Sequence, residues 1–311
     1  MKTAEPLRLA ALESFYVGGS TREVDGGELF GPDVQVSGAI YVQRLMPAVR
    51  DFPLPVLFIH GGMHSGVTWE TTPDGREGWQ TLFVRGGFET LVIDQAWRGR
   101  SAPDLTGLNP FAKVEEEVGP VHTCGMAMGR RFARGGWRFP MDQLQTYAAQ
   151  LWPDFFVPEA IGRGLPGLSD PRNQPPLAAL LDRVGPVVLV THSQGGDVGW
   201  TLAKARPDKV RAILAVEPAL TTPGLGDPDF PDIPVCVMWG DNLPEDARTL
   251  SLKDVALARA VAARRPNVVV DLLPEHGISG NGHMLMMEDN NADLAERAMS
   301  WFRSLALRLK P

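Results

Sequence analysis

Val187-Val-Leu-Val190 runs into Thr191-His192-Ser193-Gln194-Gly195-Gly196 and then into Asp197-Val-Gly-Trp-Thr-Leu-Ala-Lys-Ala205. The first four residues are apolar on both faces and rich in β-branching, as a buried parallel strand requires, and the last nine have the composition of a helix. Only a sharp turn separates them. In a strand-turn-helix setting a serine can become a nucleophile, because the turn holds it in a strained backbone, with its hydroxyl clear of the sheet edge and near the positive end of the next helix. Gly195 supplies the small residue needed after Ser193, whereas Thr191 stands where the G-x-S-x-G pattern has its first glycine.

Outward from this stretch, similar short apolar runs recur at Val56-Leu-Phe-Ile59, Thr90-Leu-Val-Ile93, Arg211-Ala-Ile-Leu-Ala-Val216, Pro234-Val-Cys-Val-Met-Trp239 and Val268-Val-Val-Asp-Leu-Leu273. Helical stretches at 194–206, 249–265 and 291–309 can cover them, which predicts an α/β fold with a mostly parallel central sheet. Two earlier runs, Ser14-Phe-Tyr-Val-Gly18 and Gly38-Ala-Ile-Tyr-Val-Gln43, are divided by a turn-rich stretch and predict an antiparallel pair at the N-terminus.

Between the second and third parallel strands lie more than ninety residues, 95–186, far more than a crossover helix requires. They predict an insertion within one domain of 311 residues, covering the edge of the sheet that carries Ser193. Met141, Leu144, Tyr147, Ala148, Leu151 and Trp152 fall on one face of a helix ending at Pro153, and the prolines from 153 to 176 predict an irregular cover without long helix.

Hydrophobic residues make up 44% and charged residues 22%, as in soluble globular proteins, so whole-chain disorder is excluded. A net charge of −7 is the wrong sign for a phosphate-binding surface, so no nucleic-acid partner is expected. No apolar run approaches the ~18 residues of a membrane span, so no membrane partner is expected either. Two cysteines, Cys124 and Cys236, are too few for a disulfide scaffold, and Cys236 reads as a small core residue. The compartment stays open.

His60-Gly61-Gly62-Met63 follows a strand directly, where glycine N–H groups can approach a substrate oxygen, and the N–H of Gln194 would be the second donor. His283, in Gly280-Asn-Gly-His-Met284, is brought to the same sheet edge by a loop and is the candidate base. His60 and His192 flank these elements and are expected to pack or hydrogen-bond there. His276 lies on the late loop, and His64 and His122 read as loop residues without partners. A metal held by His60 and His64 is disfavoured, since glycines separate them and no acid is near; no cofactor is required. Two carboxylates compete to orient His283: Glu217 after one strand and Asp241 after the next. Pro218 is expected to keep Glu217 at an extended strand end. Trp97, Trp152 and Met284 are candidates for an apolar substrate pocket, or for core.

The segments F-Y-V-G-G (15–19), T-W-E-T-T-P-D-G-R (68–76), V-I-D-Q (92–95) with R-G-R-S (98–101), H-S-Q (192–194), V-E-P (216–218), and G-N-G-H-M (280–284) followed by D-N-N (289–291) span nearly the whole chain. With them the chain resembles the α/β-hydrolase superfamily, and within it a branch of bacterial esterases typified by an Alcaligenes enzyme. The resemblance implies the α/β-hydrolase fold and hydrolysis of carboxylic esters through an acyl-enzyme; small to medium apolar esters are expected because no long exposed apolar lid helix is readable beside the inserted cap. It implies Ser193 as nucleophile, His283 as base, Glu217 as acid in preference to Asp241, and Gly62 and Gln194 as oxyanion donors. It also implies self-association as a homodimer. Lactone, thioester, carbamate and acyl-transfer chemistry use the same constellation, and a hydrolase fold without turnover is the reading from another class.

Overall fold

The computed structural model describes residues 5–25, 31–101, 130, 133, 138–152, 170–218, 224–241, 248–307 and 309. In chain order the strands are β1 (Leu9–Asp25), β2 (Pro32–Pro47), β3 (Val56–Ile59), β4 (Thr90–Ile93), β5 (Val187–His192), β6 (Val210–Val216), β7 (Val235–Trp239) and β8 (Val268–Leu272). They form one sheet in the order β1-β2-β4-β3-β5-β6-β7-β8. The β1–β2 and β2–β4 pairs are antiparallel and the remaining pairs parallel. The sheet agrees with the sequence reading. The N-terminal pair is much longer than its apolar runs, since β1 and β2 pair from Leu9 with Pro47 out to Asp25 with Pro32, while β2 meets β4 only over Val42–Leu45.

The central strands are buried on both faces, and the period of two divides their side chains between two cores. Val56, Phe58, Val188 and Val190 join one core with the short helix α1 (Val67–Glu70), α2 (Trp79–Arg85), α3 (Leu144–Ala148) and α7 (Asn291–Leu305). Leu57, Ile59, Val187 and Leu189 join the other with α4 (Gln174–Val184), α5 (Gln194–Ala205) and α6 (Arg248–Ala262). Cys236 is buried in the first core. Cys124 and His122 lie outside the described residues.

The helix expected over Met141–Trp152 is shorter. A 3-10 turn at Met141–Gln143 precedes α3, and the chain leaves the helix because the Trp152 N–H donates to Met63 O, 2.8 Å away, instead of to a carbonyl one turn back. Leu144, Tyr147, Ala148 and Leu151 are buried as the periodicity predicts, but Met141 is exposed, since the 3-10 turn rotates it off that face. The long helix of this region begins only where the proline-rich stretch 153–176 ends. Pro175 and Pro176 open the eleven-residue α4, where a missing N–H costs no hydrogen bond. Within residues 153–176 only 170–176 are described, so the irregular cover expected before them lies outside.

Candidate active site

Because β3, β5, β6 and β7 run parallel, their C-terminal ends bring residues 60–64, 192–194, 217–218 and 240–241 to one edge of the sheet. Ser193 occupies the turn between β5 and α5 with φ 52° and ψ −124°, a conformation that costs a non-glycine residue ~1–3 kcal/mol and is concentrated at functional sites. The turn is held from both sides: the Ser193 N–H donates to Val216 O (3.1 Å), and its carbonyl accepts from the Gly196 N–H (2.9 Å). Gly195 must be glycine, because a Cβ there would strike the carbonyl oxygens of His60 and Ile59. Thr191, in the place of the pattern's first glycine, is accommodated by Gly199 on the facing turn of α5, where a Cβ would lie 2.8 Å from Thr191 Cγ2.

The loop after β3 is fixed by buried side chains. His60 Nδ1 donates to Gly61 O (2.9 Å) while its Nε2 accepts from the Gln95 N–H (3.0 Å). Arg98, from R-G-R-S, donates through Nη1 to the same Gly61 carbonyl (3.0 Å) and to Gln194 Oε1 (3.3 Å). A trans peptide is planar, so a carbonyl held in this way aims the Gly62 N–H in the opposite direction. Gln194 is the first residue of α5, so its N–H stands at the N-terminal end of that helix. His64 donates from Nδ1 to Gly62 O (2.6 Å) and accepts at Nε2 from the Tyr147 hydroxyl (2.8 Å), so it has the partners the sequence reading denied it. Burial pushes its pKa down to about 3, which keeps the ring neutral.

His283 Nδ1 lies 3.6 Å from Glu217 Oε2. The other Glu217 oxygen accepts from the Gly240 N–H (2.6 Å), and the Glu217 N–H donates to Met238 O (2.9 Å). Glu217 has φ 46°, so the extended strand end expected from Pro218 is absent. The Met238 bond holds its amide against β7 while the chain turns sharply to bring the carboxyl back over that strand's end. Asp241 is exposed and accepts from the backbone N–H groups of Gly280 (2.9 and 3.0 Å) and Asn281 (3.1 Å), anchoring the loop two residues ahead of His283. His192 is buried; its Nε2 donates to the His283 carbonyl (3.0 Å), and the two ring centroids are 4.7 Å apart. Burial holds the pKa of His192 well below the ordinary histidine value. His276 is peripheral, beside Asp271.

The long T-W-E-T-T-P-D-G-R segment also serves this loop. Thr72 Oγ1 accepts from the Arg76 N–H (2.8 Å), and the Arg76 guanidinium donates to Met287 O (3.0 Å), Glu288 O (2.7 Å) and Asn291 Oδ1 (2.7 Å), bracing the chain beyond His283. Trp152 donates from Nε1 to Trp97 O (3.1 Å), and the Trp97 ring lies under the Arg172 guanidinium at 3.9 Å. Met284 is fully buried in the core shared with α2 and α7. Among the described residues no cluster of three or more His, Cys, Asp or Glu could hold a metal, and no helix is long and apolar enough to cross a membrane.

A bacterial esterase of known structure superposes on this chain with a TM-score of 0.80, at 28% identity and with 98% of both chains covered. The chain is an α/β-hydrolase. No family model matches this α/β-hydrolase. A probable secreted lipase, phiG, of a fungal species (strain ATCC 74256) is 28% identical over 325 aligned positions, 85% of each chain. A predicted hydrolase from Thermoplasma acidophilum, 13% identical with a TM-score of 0.50 over 95% of this chain and 99% of its own, shares the fold alone. With esterases and lipases as its named likenesses, this α/β-hydrolase is an esterase- or lipase-like enzyme.

The sequence reading missed Arg98, Tyr147 and Glu288. Arg98 had a signal in R-G-R-S. The other two become visible only once remote segments are brought together.

Proposed function

We propose that this α/β-hydrolase is a serine carboxylic-ester hydrolase. His283 takes the proton of Ser193 as Oγ attacks the ester carbonyl, and the oxyanion is held by the N–H groups of Gly62 and Gln194. His283 then returns the proton to the departing alcohol. A water, deprotonated by the same imidazole, cleaves the acyl-enzyme and releases the acid. Glu217 keeps the His283 Nδ1–H oriented and stabilises the imidazolium. Asp241, on the backbone of Gly280 and Asn281, is read as an anchor of the His283 loop.

The observation that carries this reading is the strained Ser193 at the β5–α5 turn, at the same sheet edge as the 3.6 Å His283–Glu217 pair. Small to medium apolar esters are the proposed substrates, with Trp97 and Trp152 beside the pocket and the insertion over Ser193; the attachment of α3 to the His64 loop supports that placement. Self-association as a homodimer is proposed on the resemblance alone, and sedimentation as a monomer at micromolar concentration would reject it. A panel of p-nitrophenyl esters tests the reaction: turnover should peak at short or medium acyl chains and fall by about 10³-fold or more in Ser193→Ala. A Ser193→Ala variant with undiminished turnover would refute the mechanism.

A further inference from the structure

Glu288 is a second carboxylate beside the His283–Glu217 pair, and it is 1% exposed. One of its oxygens accepts from the Gly282 N–H (2.6 Å) and the other from Asn281 Nδ2 (2.5 Å), so it grips the two residues that precede His283. The Asn281 amide is not free to turn. Its Oδ1 accepts from Asn290 Nδ2 (3.1 Å) and its Nδ2 also donates to Asn290 Oδ1 (2.8 Å), which leaves an N–H facing Glu288. Both partners of the carboxyl are therefore donors, and the ionised form alone offers each of them a charged acceptor with no proton of its own.

We propose that ionised Glu288 is a positioning residue for the reaction, holding the Asn281–Gly282 segment so that the His283 imidazole keeps its place against Glu217. The inference rests on the reading of His283 as the base. Among the described residues, few charged groups surround Glu288. Glu217 faces it from the end of β6 and Asp289 follows it in the chain, paired with Arg138 at 2.9 Å. Arg76 reaches the main-chain carbonyl of Glu288, and Asp241 sits on the far side of the same loop, on the N–H groups of Gly280 and Asn281. Burial first, and then the charges of Glu217 and Asp289, push the Glu288 pKa up to about 7 against the pull of its two hydrogen bonds. As the pH falls through neutrality, protonation turns one of the two accepting oxygens into a hydroxyl, a much weaker acceptor, and the grip on the loop is lost on that side.

The test is the pH profile of kcat/KM on a p-nitrophenyl ester for the wild type, Glu288→Gln, Glu288→Asp and Ser193→Ala. In the wild type the acid limb should fall with a slope of two, one proton on the imidazole base and one on Glu288. Glu288→Gln keeps the volume but sets an amide N–H2 against a donor; at pH 8 its kcat should drop about a hundredfold or more with KM within about twofold, and its acid limb should have a slope of one. Glu288→Asp should keep the two-proton limb. A wild-type slope of one, which needs no variant to fold, overturns the inference, as does a folded Glu288→Gln with wild-type kcat and profile. In either case an inactive Ser193→Ala would leave the serine mechanism standing, whereas an active Ser193→Ala overturns both.

Discussion

The Tyr147 hydroxyl donates to His64 Nε2 at 2.8 Å, joining α3 to the loop that carries Gly62. His64 passes the constraint on, since its Nδ1 holds the Gly62 carbonyl. Tyr147→Phe removes the hydroxyl that donates to His64 Nε2, and the lost hydrogen bond should cost about 0.5–1.5 kcal/mol in urea unfolding. The wild-type midpoint in the variant would mean that this contact is not formed in solution.

Glu217 and Asp241 should separate by kinetics. Glu217→Gln keeps the shape of the side chain but loses the carboxylate facing His283, and kcat should fall by up to ~10⁴ with the circular dichroism spectrum unchanged. Asp241→Asn weakens an anchor of the loop and should lower kcat by less than about tenfold. A folded, nearly wild-type Glu217→Gln beside an inactive Asp241→Asn would reverse the assignment.

The departure at Thr191 predicts a coupling with Gly199. Gly199→Ala puts a methyl against Thr191 Cγ2 and should destabilise by about 1–3 kcal/mol. Thr191→Ser deletes the methyl that is struck, so the same alanine should cost much less in that background. Equal costs in both backgrounds, measured by denaturant titration as a double-mutant cycle, would show that Gly199 does not serve Thr191.

How much of this was legible in the sequence depends on where the information lies. Strands buried on both faces must be apolar throughout, so β3 to β7 show as short runs, with Ser193, Glu217 and Asp241 just beyond their ends and His283 on the loop after β8. The outer halves of β1 and β2 face water along much of their length, and Gly18, Gly19 and Ser20 read as a turn rather than as continuing strand. Tyr147 and His64 lie 83 residues apart, and neither sequence neighbourhood names the other. Glu288 stands beside D-N-N, where a carboxylate ahead of a helix reads as surface; its role comes from the loop that folds over it.

Stability should carry two opposing pH dependences. His64 has its pKa lowered from 6.5 to about 3, so the unfolded chain binds its proton first, and the stability this group contributes is full above ~6.5 and is lost as the pH falls toward 3. Glu288 has its pKa raised from 4.5 to about 7, so the folded chain holds its proton more tightly, and its contribution is full below ~4.5 and is lost as the pH rises through 7. Between pH 5 and 7 the two oppose each other. Glu288→Gln removes the second, so from pH 8 to pH 5 the variant should lose on the order of 2 kcal/mol more than the wild type does. Parallel stability curves for the two proteins would contradict this.

The central claim is that Ser193 is the nucleophile, and covalent labelling reads it directly. Intact-mass measurement after exposure to a fluorophosphonate should show one phosphonyl adduct per wild-type chain, with fragmentation placing it on Ser193, and no adduct on Ser193→Ala. An unmodified wild-type chain, or an adduct that persists in Ser193→Ala, would contradict the account.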